Sequence, residues 1–219
     1  MSYQPLPHHE LEKIAVRLRK QHGVFDGKRL LIEDMVQRMG YALFPVDGLR
    51  DEMGVEAYIP KRPKTIIVDR AEMDGGNPRY FFTLAEELAH IEIHLSRPPV
   101  GVQTPQQFHD WVMSLSSNSY QNFECDAKYL AGALLMPPDE FKEKFNSLLQ
   151  AQLKALGKAG VRNTVIYYVL RQMFMTYVVS FDAATIRARK LNLISQAELD
   201  NLQKHRAKRI LERNTLLGA

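Results

Sequence analysis

A single cysteine, Cys125, stands among the 219 residues, so no internal disulfide can form and a disulfide-stapled miniprotein is excluded. Long apolar runs are missing too. Val165 to Val179 is broken by Arg171 and Gln172 and falls short of the roughly 20 uninterrupted apolar residues a membrane helix needs. Met1 to Leu30 mixes charges throughout, without the apolar centre of a signal peptide, and this leads to the expectation of a reducing cytoplasm and no membrane. Internal repeats and low-complexity segments are likewise absent. What remains, 45% hydrophobic and 25% charged residues, is the make-up of a globular chain with a sizeable core, not of a disordered or collagenous one.

Charge is uneven. Residues 1–150 hold 17 Lys/Arg against 21 Asp/Glu, whereas residues 151–219 hold 12 against 4. A one-signed field concentrates opposite charge, so the basic rear third suits phosphate or an acidic partner; a solvated helix face is the competing reading. Lys204, Arg206, Lys208, Arg209 and Arg213 come without aromatic stacking or a base-reading motif, which leaves nucleic acid a partner that the charge permits and does not require.

Apolar spacing predicts amphipathic helices over Leu11–Gln21 and Arg29–Met39, then strands at Tyr41–Val46, Val55–Ile59 and Thr65–Val68 forming a small antiparallel sheet. Met73–Asn77 reads as a turn, and Thr83–Leu95 as a helix. Ser96–Ser119 is a long connection with a short helix around Gln106–Met113, of the kind that covers a site. Asn122–Met136 is a second long helix, ended by Pro137 and Pro138. Glu140–Leu156, Asn163–Tyr177, Asp182–Lys190 and Gln196–Leu211 predict an all-helical rear, with the Val179-Ser180 turn compatible with a helix-turn-helix.

One helix carries the chemistry. In FFTLAEELAHIEIHL, Glu86, His90 and His94 recur every four residues and form a stripe flanked by Glu87. Ligands so spaced point at one external site and can share a divalent metal. Thr83-Leu84-Ala85-Glu86 also fits a capping box, in which Glu86 reaches back to the Thr83 amide and has no part in metal binding. Spacing alone leaves both readings open.

The stretch RYFFTLAEELAHIEIH (Arg79 to His94) resembles the RFTLAHELGHxxLH signature of the ImmA/IrrE zinc metallopeptidases. KTIIVD (Lys64 to Asp69), ECDAKYLAGALLMP (Glu124 to Pro137) and VSFDAATIRARKLNLIS (Val179 to Ser195) resemble further segments of that family, in the family's order. The resemblance implies an α+β, zincin-like metallopeptidase domain over 1–137 and an all-helical basic domain over 138–219. It implies a cytoplasmic, metal-dependent endopeptidase whose protein substrate is a helix-turn-helix repressor or an antitoxin. His90 matches a histidine ligand, Glu87 the general base and Glu124 the downstream carboxylate ligand. Asp126 competes with Glu124, but Ala127 and Ala131 give the Glu124 face the small side chains that let helices approach. His94 matches a position beside the complete motif and is ranked behind the ligands.

The first histidine of HExxH is Glu86 here. Two carboxylates and one imidazole neutralise a dication, so water there is polarised less and hydrolysis is slower, while harder oxygen donors bring Mn or Fe alongside Zn. Ala89 stands for the motif's glycine and Lys128 for an asparagine, which sets a cation near the carboxylates. The alternative function is a non-enzymatic relative that has lost metal and acts by binding protein or DNA. Three further residues have two readings each. Cys125 is a metal thiolate or a small buried filler, His109 with Trp111 a groove lining or a loop anchor, and Thr65–Val68 a peptide-binding sheet edge or core.

Overall fold

The computed structural model describes residues 2–60, 64–96, 98, 101–102, 104–156, 162–202 and 204. They fall into two compact units, Met1–Pro137 and Pro138–Ala219. Among the described residues no helix is long and apolar enough to cross a membrane.

The first unit opens with α1 (His8–His22), which buries Leu11, Ile14, Ala15 and Leu18. A two-residue ribbon follows, β1 (Phe25–Asp26) against β2 (Arg29–Leu30). Gly27 turns it at φ 57°, a left-handed conformation glycine adopts without steric cost. The helix expected from Arg29 therefore starts later, as α2 (Ile32–Arg38): the Asp26-Gly27 turn overrides the helical spacing.

Strands β3 (Ala42–Val46), β4 (Ala57–Tyr58) and β5 (Thr65–Asp69) make one sheet in the order β3-β5-β4. The expected antiparallel sheet is corrected to a mixed one. β4 runs antiparallel to β5, but β3 runs parallel to it, with Phe44 opposite Ile67. Between β3 and β4 the chain makes α3 (Leu49–Met53) and crosses to the far edge of β5, and a connection that long permits parallel pairing. Apolar alternation specifies a strand's faces and says nothing of its direction.

Two caps set the helices that follow. Asp69 accepts from Glu72 N at 3.2 Å and starts α4 (Arg70–Gly75), inside part of the segment expected to be only a turn. Asn77 Oδ1 accepts from Arg79 N at 2.8 Å and Tyr80 N at 2.9 Å, with Pro78 in the first turn, and starts α5 (Pro78–His90). This overturns the capping-box reading of Glu86. Thr83 lies inside the helix and its hydroxyl donates to Glu56 Oε2 at 3.1 Å, so the Thr83 amide is not at a helix start. Past His90 the backbone widens into one π-type turn, Ile91–Leu95, closed by Ser96 N donating to Ile91 O at 2.9 Å.

α6 (Pro105–Met113) precedes α7 (Ser117–Leu135), which begins five residues before the expected Asn122 because Ser116 Oγ accepts from Ser119 N at 3.3 Å. α5 and α7 pack along each other and α1 lies on α7. Ala85, Ala89, Ala127 and Ala131 are fully buried and let α5 and α7 approach, while Leu84, Leu88, Leu130 and Leu134 fill the core. Each buried leucine contributes about 1.5–3 kcal/mol.

The second unit has α8 (Pro138–Leu156), α9 (Arg162–Tyr177) and α10 (Phe181–Lys190), then a helical stretch over 196–202. α9 packs on both α8 and α10. Its turn into α10 holds Val178 at φ 51°, an unfavourable left-handed conformation for a β-branched residue, and Ser180 Oγ then accepts from Ala183 N at 3.0 Å. Of the basic run, Lys204 is described and exposed; Arg206, Lys208, Arg209 and Arg213 lie outside the described residues.

Candidate metal centre

Glu86 and His90 stand one turn apart on α5 and project the same way. α7 brings Glu124 to them. His90 Nε2 lies 3.9 Å from Glu124 Oε1, and one ligand atom from each of the three residues lies within 4.8 Å of the others. Zinc with ligands at 2.0–2.1 Å sets tetrahedral donors about 3.4 Å apart, so small side-chain rotations would close the set. One imidazole and two carboxylates, half-buried between two packed helices, are donors that fit a divalent cation.

Lys128, one turn beyond Glu124 on α7, bridges both acids. Its Nζ lies 3.7 Å from Glu86 Oε1 and 3.8 Å from Glu124 Oε2. Two carboxyls of α5, Glu86 and Glu87, resist ionisation. Burial pushes Glu87 up to about 8, and the charges of Glu86 and Glu124 add to the effect. Burial likewise raises Glu86 to about 7, against the opposing pull of Lys128. His90 is pushed down to about 4 by burial and by Lys128, which keeps its ring neutral and able to ligate. A bound cation would reverse the effect on the carboxyls by favouring their charged forms.

The remaining residues singled out from the sequence take distinct places. Asp126 does not compete with Glu124: it is buried, and its Oδ2 accepts from Tyr3 Oη at 2.6 Å and from Leu6 N at 2.7 Å. His94 is buried, stacks on Phe123 with ring centroids 3.6 Å apart, and shares a hydrogen bond with His90 through their Nδ1 atoms at 2.9 Å. Cys125 is exposed, which corrects the buried-filler reading, and it lies outside the cluster. His109 is exposed beside Asp110, whereas Trp111 meets Phe123 edge-on at 6.1 Å and anchors α6 to α7. β5 is the central strand, so Thr65–Val68 cannot be a free sheet edge; β3 and β4 are the edges.

Two residues near the site escaped the sequence reading. Tyr120 sits one turn before Glu124, and its hydroxyl is held above the usual phenol range by burial, by the Glu124 charge and by a hydrogen bond to that carboxylate. It was concealed because α7 was expected to begin after it. Tyr3 reaches the site from far away in the chain, and no local pattern marks it.

A solved structure of a Mycobacterium tuberculosis transcriptional regulator resembles this chain with a TM-score of 0.53 at 20% identity, over 82% of this chain and 46% of that one. At that identity the likeness carries the fold, and the chain spans less than half of that regulator's length. No curated protein matches significantly. The family model described as Peptidase M78, IrrE N-terminal-like domain, matches residues 49–166, a stretch that contains Glu86, Glu87, His90 and Glu124. Because that match runs over more than half of its length, the chain belongs to the Peptidase M78 family of IrrE N-terminal-like domains.

Proposed function

We propose that the protein is a metal-dependent endopeptidase acting on a DNA-binding regulator of the helix-turn-helix repressor or antitoxin kind. The observation that carries this reading is the convergence of Glu86, His90 and Glu124 from α5 and α7. These three hold the cation, and Glu87, next to them on α5, is the general base. Bound there, a divalent cation lowers the pKa of water and polarises a peptide carbonyl. Glu87, held in its charged form beside a bound cation, would accept the proton of the attacking water and pass it to the leaving amine. Two carboxylates beside one imidazole favour Mn or Fe alongside Zn. The substrate class rests on the family resemblance.

Lys128 supports a second reading. An ammonium group bridging Glu86 and Glu124 supplies the charge a cation would supply, as suits a relative that binds protein or DNA without hydrolysis. One experiment separates the two. Protein purified without chelator is assayed for bound transition metal, then incubated with a co-encoded helix-turn-helix regulator beside its Glu87→Gln variant. The peptidase reading requires about one metal per chain and cleavage by wild type alone. No metal, or equal cleavage by both proteins, rejects it.

A further inference from the structure

The segment ahead of α1 is tied to the far side of His90 by an unbroken run of hydrogen bonds. Asp126 Oδ2 meets Tyr3 Oη at 2.6 Å, Tyr3 Oη meets His94 Nε2 at 3.1 Å, and His94 Nδ1 meets His90 Nδ1 at 2.9 Å. Leu6 N donates to the same Asp126 oxygen at 2.7 Å and fixes that end. Tyr3 packs edge-on against both His94 and Phe123, and Phe123 stacks on His94, so rings hold the run on both sides.

The direction of every bond follows from donor and acceptor supply. Asp126 Oδ2 accepts from both Tyr3 Oη and Leu6 N, so the Tyr3 hydroxyl is the donor to Asp126. The Tyr3 hydroxyl has one proton and has spent it, so its oxygen accepts and His94 Nε2 must carry the donated proton. A neutral imidazole carries one proton, which leaves His94 Nδ1 as an acceptor. His90 Nδ1 is then the donor. The second nitrogen of a neutral His90, Nε2, keeps its lone pair, and it is this atom that lies 3.9 Å from Glu124 Oε1. The π-type turn at Ile91–Leu95 belongs to the same arrangement, since it carries His94.

We infer that Tyr3, working through His94 and anchored by Asp126, is a positioning residue that sets His90 in the Nδ1–H tautomer and aims its bare Nε2 at Glu86 and Glu124. The inference rests on the metal-centre reading only for its purpose, because the tautomer exists in metal-free protein. It also gives residues 3–6 a role in readiness of the site: ligand orientation by outer partners commonly governs metal affinity by ten- to a hundredfold.

The test is the pair of 15N chemical shifts of the His90 ring in labelled, metal-free protein, followed by zinc titration, for wild type and Tyr3→Phe. The expected result is a single Nδ1–H tautomer in wild type. In Tyr3→Phe a mixture of tautomers is expected, with zinc binding about ten- to a hundredfold weaker. A merely structural Tyr3 would lower the melting temperature and leave the His90 shifts in place. An Nε2–H tautomer in wild type overturns the inference, and so do unchanged shifts in Tyr3→Phe. Should Tyr3→Phe not fold, His94→Phe, which keeps a flat ring against Phe123 and removes the acceptor of His90 Nδ1, still tests the run: unchanged His90 shifts in it overturn the inference. Wild-type protein that has the expected tautomer and takes up no zinc rejects the metal centre and leaves the hydrogen-bond assignment standing.

Discussion

Replacing Lys128 with asparagine is expected to tighten metal binding. In the metal-free protein the ammonium lies 3.7 Å from Glu86 Oε1 and 3.8 Å from Glu124 Oε2, so an incoming cation competes with two ion pairs. A unit pair at that range is worth about 4 kcal/mol at an effective dielectric of about 20 and about 1 kcal/mol in water. The lysine side chain is 55% exposed, so the watery limit governs. Exposed pairs are worth about 0.2–1 kcal/mol each. Losing both therefore removes about 1 kcal/mol of competition, roughly fivefold in affinity. Calorimetric titration with Mn, and chelator competition for Zn, read this directly. High salt should shrink the difference, because the pairs it depends on are screened. The variant should lose no more than about 1 kcal/mol of metal-free stability, the worth of the pairs it removes. Affinity unchanged or weaker in a normally folded variant would refute the idea that Lys128 occupies the charge of the site.

The Glu87 carboxyl should make the metal-free protein less stable as pH rises. Its folded value of about 8 exceeds the unfolded value of about 4.3, so between them the folded state binds more protons and stability falls with pH. Urea melts should lose about 3–4 kcal/mol from pH 5 to pH 8 in wild type and clearly less in Glu87→Gln; identical slopes would refute this. Asp69 has the opposite sign. The Arg50 backbone N–H, donating to its carboxylate at 2.9 Å, holds its pKa below the usual range, so its stabilisation is present above about pH 4 and fades as pH falls below that. Asp69→Ala should cost about 1–2 kcal/mol through loss of the α4 cap and the Arg50 anchor. Thermal melts showing a change within error would count against both roles.

Apolar periodicity was enough to read the longer helices and the order of the parts, though not the short helices α3 and α4. Periodic leucines and alanines place α1, α5 and α7 whatever surrounds them, since a 3.6-residue repeat must bury one face. The same repeat put Glu86 and His90 on one side of one helix, and the family motifs brought Glu87 and Glu124 to notice. Strand direction was beyond it, because alternation is equal for parallel and antiparallel neighbours; only the crossover through α3 made β3 parallel to β5. Local pattern also misled at Thr83, where a capping box could be spelled but the preceding Asn77 had already started the helix. The choice between Glu124 and Asp126 depended on contacts 120 and 123 residues distant in the chain, for Leu6 and Tyr3 take up Asp126 and leave Glu124 beside His90. Such choices belong to tertiary structure because a buried carboxylate goes where its donors are, and those donors come from whichever distant segment the packing brings near.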